Sequence, residues 1–129
     1  MILLDTHVLV WTVADSKRLS RAAAREIDRA RRGDGVAISA ITLWELALLF
    51  ARGRIRSYGS VESSVRMLCE GVHVKPITQE IAVLATQFSA DFPRDLADRL
   101  IGATARAEGL TLVTRDEPIR KSPLLKTVW

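Results

Sequence analysis

Short apolar runs that stop on a polar or acidic residue alternate along this chain with longer stretches of helical periodicity. Ile2-Leu3-Leu4 stops at Asp5, Val36-Ala37-Ile38 stops at Ser39, and the run 110–114 leads through Thr114 and Arg115 to Asp116. Runs of this length, bounded by turn formers, predict strands at 2–4, 36–39 and 110–114. A weaker strand is predicted at 72–77, on a sheet edge because Pro76 cannot donate to a ladder, and a last one within 124–129.

The intervening stretches predict helices. Residues 7–13 are apolar enough to lead from the first strand into a helix or turn. Ser20 is a suitable N-cap for a helix over 21–32, closed by Gly33-Asp34-Gly35. Thr42 opens a helix that runs to about Ala51 before Gly53, and a further one spans about 60–70 and stops at Gly71. Thr78 caps a helix expected to reach about Ala90, and Asp95 starts one that ends near Gly109.

Strands separated by helices of this length need crossover connections, and crossovers imply a mainly parallel sheet covered on both faces. The expected fold is therefore α/β, a three-layer α/β/α arrangement in which ligands bind beyond the C-terminal ends of the strands. Asp5 and Asp116 follow strands at that rim, and Glu45 and Asp98 lie near the starts of helices that enter there. Carboxylates in apolar segments are costly unless paired or bound to a cation. Four of them on one rim point to a divalent metal.

Each acid also has a plainer explanation. Thr42-Leu43-Trp44-Glu45 matches a capping box, in which Glu45 would only satisfy the helix start, although its neighbours Ile41, Leu48 and Leu49 are apolar. Asp95 and Asp98 are placed as N-cap and third-position partner, yet Asp98 shares its face with Ile101, Gly102 and Ala105, which suggests the wall of a site. Asp5 and Asp116 stand where aspartate commonly makes turns. Thr6, Thr114 and Ser39 are supporting candidates, their hydroxyls available to a metal-bound water or a phosphate oxygen, with Ser39 equally placed for a turn.

Bulk properties narrow the chemistry. A chain of 129 residues, 48% hydrophobic and 26% charged, is expected to form one domain over 1–129 with an ordinary core. Cys69 is the only cysteine and His7 and His73 the only histidines, so an intrachain disulfide and Cys- or His-rich metal sites are excluded, and Cys69 is expected to pack as a small apolar residue. The absence of leading basic residues and the acid at position 5 argue against a signal peptide, and a cytoplasmic protein without membrane attachment is expected. A net charge of +4 favours an anionic partner. The arginines at 18, 21, 25, 29, 31, 32, 52, 54 and 56 are candidates for phosphate contacts or simply solvated helix faces; Trp11, Trp44 and Trp129 are expected in the core or at an interface.

Taken in order, LLDTHVLVW, the helix start LSRAAAREI, SAITLWELALLFARGRI and DLADRLIGATARAEGLTLVTRD resemble the PIN-domain ribonucleases, specifically the VapC-type toxins of toxin–antitoxin pairs. The resemblance covers nearly the whole chain. It implies a PIN-like fold, Mg²⁺- or Mn²⁺-dependent endonucleolysis of RNA, a homodimer, and inhibition by a cognate VapB-type antitoxin. Carried over by motif, Asp5, Glu45, Asp98 and Asp116 are the acidic quartet, supported by Thr6 and Thr114, with Asp95 as an extra acid at the helix start. The segment 93–98 departs from the family's usual His-Arg-Asp-Pro-Ala-Asp by Pro93 and Leu96, which affects the loop rather than the acids.

Hard oxygen ligands select Mg²⁺ or Mn²⁺. Asp5, Asp98 and Asp116 are the expected metal residues, and Glu45 either binds metal or orients the attacking water. Because the carboxylates repel one another, Asp5→Asn and Asp98→Asn are both expected to leave the metal-free chain as stable or slightly more so. An aspartyl-phosphate phosphatase would need an acid two positions after Asp5, where His7 stands, and a dinucleotide-binding domain would need a glycine-rich first turn. The remaining alternative is a noncatalytic RNA- or antitoxin-binding module that retains the fold.

Overall fold

The computed structural model describes residues 1–129. Strands β1 (Ile2–Leu4), β2 (Val36–Ser39), β3 (His73–Lys75), β4 (Thr111–Val113) and β5 (Thr127–Val128) form one sheet in the order β3-β2-β1-β4-β5. Every adjacent pair is parallel. Helices α1 (Thr6–Ala14) and α2 (Arg21–Arg32) connect β1 to β2; α3 (Ala40–Ala51) and α4 (Val61–Leu68) connect β2 to β3. Helices α5 (Gln79–Ala85) and α6 (Leu96–Glu108) carry the chain back across the sheet to β4, and α7 (Glu117–Arg120) leads to β5.

Alternation along the strands divides the core in two. Ile2, Leu4, Val36, Ile38 and Val113 face one way and pack with Val8, Leu9, Ile27, Leu46 and Phe50. Leu3, Ala37 and Leu112 face the other way and pack with Ile81, Phe88, Ile101 and Ile119. Both faces are therefore covered by helices, which is why the strands read as continuous apolar runs. Each aliphatic side chain buried this way contributes about 1.5–3 kcal/mol. Cys69 packs against the first cluster, and burial raises its thiol pKa, as befits an apolar filler.

Local chemistry sets the helix ends. Ser20 and Thr78 cap α2 and α5 as expected, Ser60 caps α4 where the sequence had placed the helix start, and Asp95 caps α6, whose other end turns at Gly109 with φ +65° and ψ 33° to feed β4. Two expectations need correction. Helix α3 begins at Ala40, not Thr42, because the Ser39 hydroxyl accepts from the Ile41 N–H and caps it two residues earlier. Helix α5 ends at Ala85 rather than near Ala90, and Phe88 and Phe92 beyond it stack 4.0 Å apart in the second core cluster. A 3-10 turn at Ser16–Arg18 and the four-residue α7, capped by Asp116, add to the elements expected.

The chain leaves β1 toward β2 on one side, while β4 arrives on the other. The C-terminal ends of β1 and β4 therefore flank the crevice where the connection order switches, the place where open α/β sheets bind ligands. Asp5 caps α1 at the end of β1 and Asp116 caps α7 just beyond β4.

Candidate active site

A cavity of about 430 Å³ opens at that crevice, lined by Asp5, His7, Val8, Trp11, Glu45, Asp95, Asp98, Arg115 and Asp116. All four acids of the sequence reading meet there, and Asp95 joins them. None of these five carboxylates forms a salt bridge; the ion pairs of the protein lie elsewhere, mostly between helix neighbours. No group of three His, Cys, Asp or Glu side chains stands close enough to hold a metal ion between them as they are arranged.

Hydroxyls and backbone amides fix most of the carboxylates. The Thr6 N–H donates to Asp5 Oδ1 at 2.8 Å, and the Thr114 hydroxyl donates to Asp5 Oδ2 at 2.7 Å. Thr114 Oγ1 in turn accepts from the Asp116 N–H at 3.1 Å, and Asp116 Oδ1 accepts from the Ile119 N–H at 3.2 Å. On the opposite wall the Thr6 hydroxyl donates to Glu45 Oε1 at 2.5 Å. Having a single proton, Thr6 must then accept from the Thr42 hydroxyl, 3.0 Å away. The result is a buried relay from Thr42 through Thr6 to Glu45.

This arrangement revises the supporting roles expected from the sequence. Thr6 and Thr114, 1% and 0% exposed, aim carboxylates instead of reaching a water or phosphate. Thr42 and Glu45 do not form a capping box, because Glu45 lies in the second turn of α3 and takes its hydrogen bond from Thr6. Ser39 is a buried cap outside the cavity lining. Asp95 does cap α6, accepting from the Asp98 N–H at 3.1 Å. Gly102 does not form the wall of the site; a methyl group there would stand 3.0 Å from both Phe88 and Phe92, so the glycine serves the packing of the second core.

Asp98 differs from its neighbours in having no hydrogen-bond donor on its carboxyl group. Burial raises its pKa first, and the charges of Asp5, Asp95, Asp116 and Glu45 raise it further, to about 7. Burial also raises Asp5, opposed by its bonds from Thr114 and Thr6, and raises Glu45, opposed by its bond from Thr6. The cavity is thus a region where carboxylates outnumber the one guanidinium of Arg115, with His7 the only nitrogen ligand on its lining.

His7, Val8, Trp11 and Arg115 complete the lining and were not among the sequence candidates for the site. Arg115 stands between Thr114 and Asp116 in the LVTRD segment, which was the available signal. Its guanidinium carbon lies 5.9 Å from the Trp11 ring centre, with Arg18 at 5.6 Å, and Trp11 packs on Trp129 with centroids 5.8 Å apart. Such contacts hold a cation beside an aromatic face. By contrast, Arg29 and Arg32 pair with Glu26 and Asp28 on the exposed side of α2, which is the solvated-face explanation.

The family model described as "PIN domain" matches residues 2–123. The chain is 42% identical over 130 residues to "Ribonuclease VapC22" of Mycobacterium tuberculosis (strain ATCC 25618 / H37Rv), covering 99% of this chain and 98% of that protein. Among solved structures it is similar to VapBC2 from Rickettsia felis bound to a promoter DNA fragment, with TM-score 0.75, 19% identity and coverage of 99% and 98% of the two chains. A toxin-antitoxin complex from Klebsiella pneumoniae gives TM-score 0.68 at 24% identity, with 100% and 97% covered. These two structural likenesses speak to the fold.

Proposed function

The chain belongs to the PIN-domain family, and from that premise we propose that it is a metal-dependent endoribonuclease, the toxin of a toxin–antitoxin pair. The observation that carries the reading is the cavity in which Asp5, Glu45, Asp95, Asp98 and Asp116 share one space without a salt bridge. The ribonuclease name of the relative at 42% identity supports the choice of RNA. The structural neighbours include VapBC2 and a toxin–antitoxin complex, which supports a VapB-type antitoxin as partner. We extend this to a homodimer acting in the cytoplasm; no helix is long and apolar enough to cross a membrane.

The donor set fits Mg²⁺ or Mn²⁺, because the carboxylates are hard oxygen ligands and raise one another's proton affinity when nothing else compensates them. Asp5, Asp98 and Asp116 would hold the ion. When bound, it supplies a water of lowered pKa and a Lewis acid for the phosphodiester. Mg²⁺ usually keeps several waters and takes one or two carboxylates directly, so part of this acidic set would hold the ion through water.

The chain's own residues supply orientation. Asp5 is locked by Thr6 and Thr114, so its position does not depend on a bound cation. Glu45 has Oε1 occupied by the Thr6 hydroxyl, which leaves Oε2 to accept a proton from the attacking water. Asp98 answers to the local charge, its carboxyl having no hydrogen-bond donor to fix it. Arg115, held against Trp11, faces the cavity from the strand side and is placed to meet a phosphate oxygen.

Incubation of a mixed RNA pool with purified protein and Asp98→Asn, in Mg²⁺, Mn²⁺ or chelator, tests the reading. Cuts that require both metal and Asp98 support it. Failure of wild type to cut RNA or to bind Mn²⁺ would leave a noncatalytic binding module.

A further inference from the structure

A second cavity, of about 330 Å³, adjoins the acidic one along α3. It is lined by Trp44, Leu48, Leu49, Arg52 and Arg54 together with His7, Glu45 and Asp95, and the last three residues also line the acidic cavity. The two spaces therefore share a wall. Trp44, Leu48 and Arg52 recur at four-residue intervals and so lie on one stripe of the helix end. Trp44 is 57% exposed, far more than an indole that serves the core.

The end of α3 brings the two arginines together. Arg52 is the C-cap, Gly53 turns with φ +65°, and the Arg54 N–H returns to the Leu49 carbonyl at 2.8 Å. Only a residue tolerant of positive φ makes this turn without strain. Neither guanidinium has a salt-bridge partner, unlike those of Arg18, Arg29, Arg32 and Arg66. Two free cations thus flank an exposed indole beside five carboxylates.

That juxtaposition answers an electrostatic difficulty. A polyanion whose scissile phosphate sits among carboxylates is repelled there, so its affinity must come from adjacent cationic and stacking contacts. We propose that the second cavity is a subsite for single-stranded RNA: a base next to the scissile bond stacks on Trp44, and its flanking phosphates are held by Arg52 and Arg54. Base stacking on an aromatic ring tolerates sequence variation, whereas the enclosing Leu48 and Leu49 limit how a base can lie. A protein partner is the competing occupant, but an apolar partner surface would leave both guanidinium groups without compensation. The proposal rests on the ribonuclease reading.

The test uses full-length protein and a 5′-labelled random single-stranded RNA. Anisotropy in chelator measures binding without turnover, and cleavage in Mn²⁺ gives kcat and KM. Trp44→Ala is expected to weaken binding about tenfold and to lower kcat/KM mainly through KM, while Trp44→Phe restores most of the loss. Arg52→Ala/Arg54→Ala is expected to reduce the slope of log affinity against log salt by roughly 1.4, the value for two contacts on a single strand. Variants that bind and cleave as wild type does overturn the subsite but not the nuclease. Unchanged RNA binding with altered sedimentation assigns the surface to a protein contact and also overturns it. Wild-type protein that neither binds nor cuts RNA overturns the nuclease reading and the subsite together.

Discussion

The two walls of the acidic cavity are built differently. On the strand side, both oxygens of Asp5 and one of Asp116 accept hydrogen bonds from residues fixed by β1, β4 and the helix starts. On the helix side, Glu45 is held at one oxygen by Thr6, and Asp98 accepts none. The strand wall is therefore organised by folding alone, while Asp98 bears the unrelieved repulsion. A carboxylate fastened by donors is a ready ligand; one raised to about 7 by burial and then by its neighbours' charges is the group most altered when a cation arrives.

Replacing each kind of carboxylate should separate them most sharply. Asp98→Asn and Asp5→Asn are each expected to lower metal-dependent RNA cleavage about 100-fold or more, since even outer supports of metal ligands commonly cost 10–100-fold. Their melting temperatures in chelator should diverge. Asp98→Asn removes a repelled charge and should melt at the same temperature or higher. Asp5→Asn turns one acceptor into a donor facing the Thr114 hydroxyl, and a buried group left unsatisfied costs about 1–3 kcal/mol. The expectation that both variants would be tolerated alike therefore gives way to a difference between them, and equal melting temperatures would erase the distinction between the walls.

A smaller effect is expected from the relay. Thr6→Val keeps the shape but leaves Glu45 Oε1 without its donor and the buried Thr42 hydroxyl without its acceptor. Cleavage should fall about 10–100-fold, with a stability loss of about 1–3 kcal/mol in chelator melts. Loss of stability with full activity would show that Glu45 does not need to be aimed.

The pH profile tests Asp98 in the unmutated protein. Its ordinary pKa is 3.8, and in the fold it is raised to about 7, so between those values the folded chain keeps a proton that the unfolded chain has released. The associated stability is fully present below about pH 4 and is lost as pH rises through about 7. In chelator, wild type should therefore lose stability relative to Asp98→Asn between about pH 4 and 7, with no further loss above that. Parallel melting curves for the two proteins would contradict the raised value.

The smallest effect belongs to the opposite core. Gly102→Ala gains helix propensity but forces Phe88 and Phe92 apart, and a net loss of about 1 kcal/mol is expected. Cleavage should not change. A loss of activity at unchanged stability would return Gly102 to the wall of the site, where the sequence alone had put it.

Legibility varied with the range of the interaction. The strands at 2–4 and 36–39, the caps Ser20, Thr78 and Asp95, and the turn at Gly109 depend on neighbours a few residues away, and all were readable. Asp116 as the cap of α7 was missed because a four-residue helix leaves almost no periodic signal. Thr42-x-x-Glu45 misled for the opposite reason. It satisfies a local rule, yet Ser39 wins the cap and Glu45 bonds to a residue 39 positions earlier.

The sequence by itself determined the order of strands and helices, the crossover topology and the placing of acids at strand and helix ends. Those follow from apolar spacing and from caps whose partners are adjacent in the chain. Only the tertiary structure decided that Thr114 secures Asp5 across 109 positions, that Thr6 aims Glu45, and that Asp98 is left without a donor. It also decided that Arg115 and Trp11 face the acids and that Trp44, Arg52 and Arg54 open onto the same crevice. The reason is physical: a side chain's electrostatic state depends on which distant groups packing brings within a few ångströms, and local pattern carries no record of that.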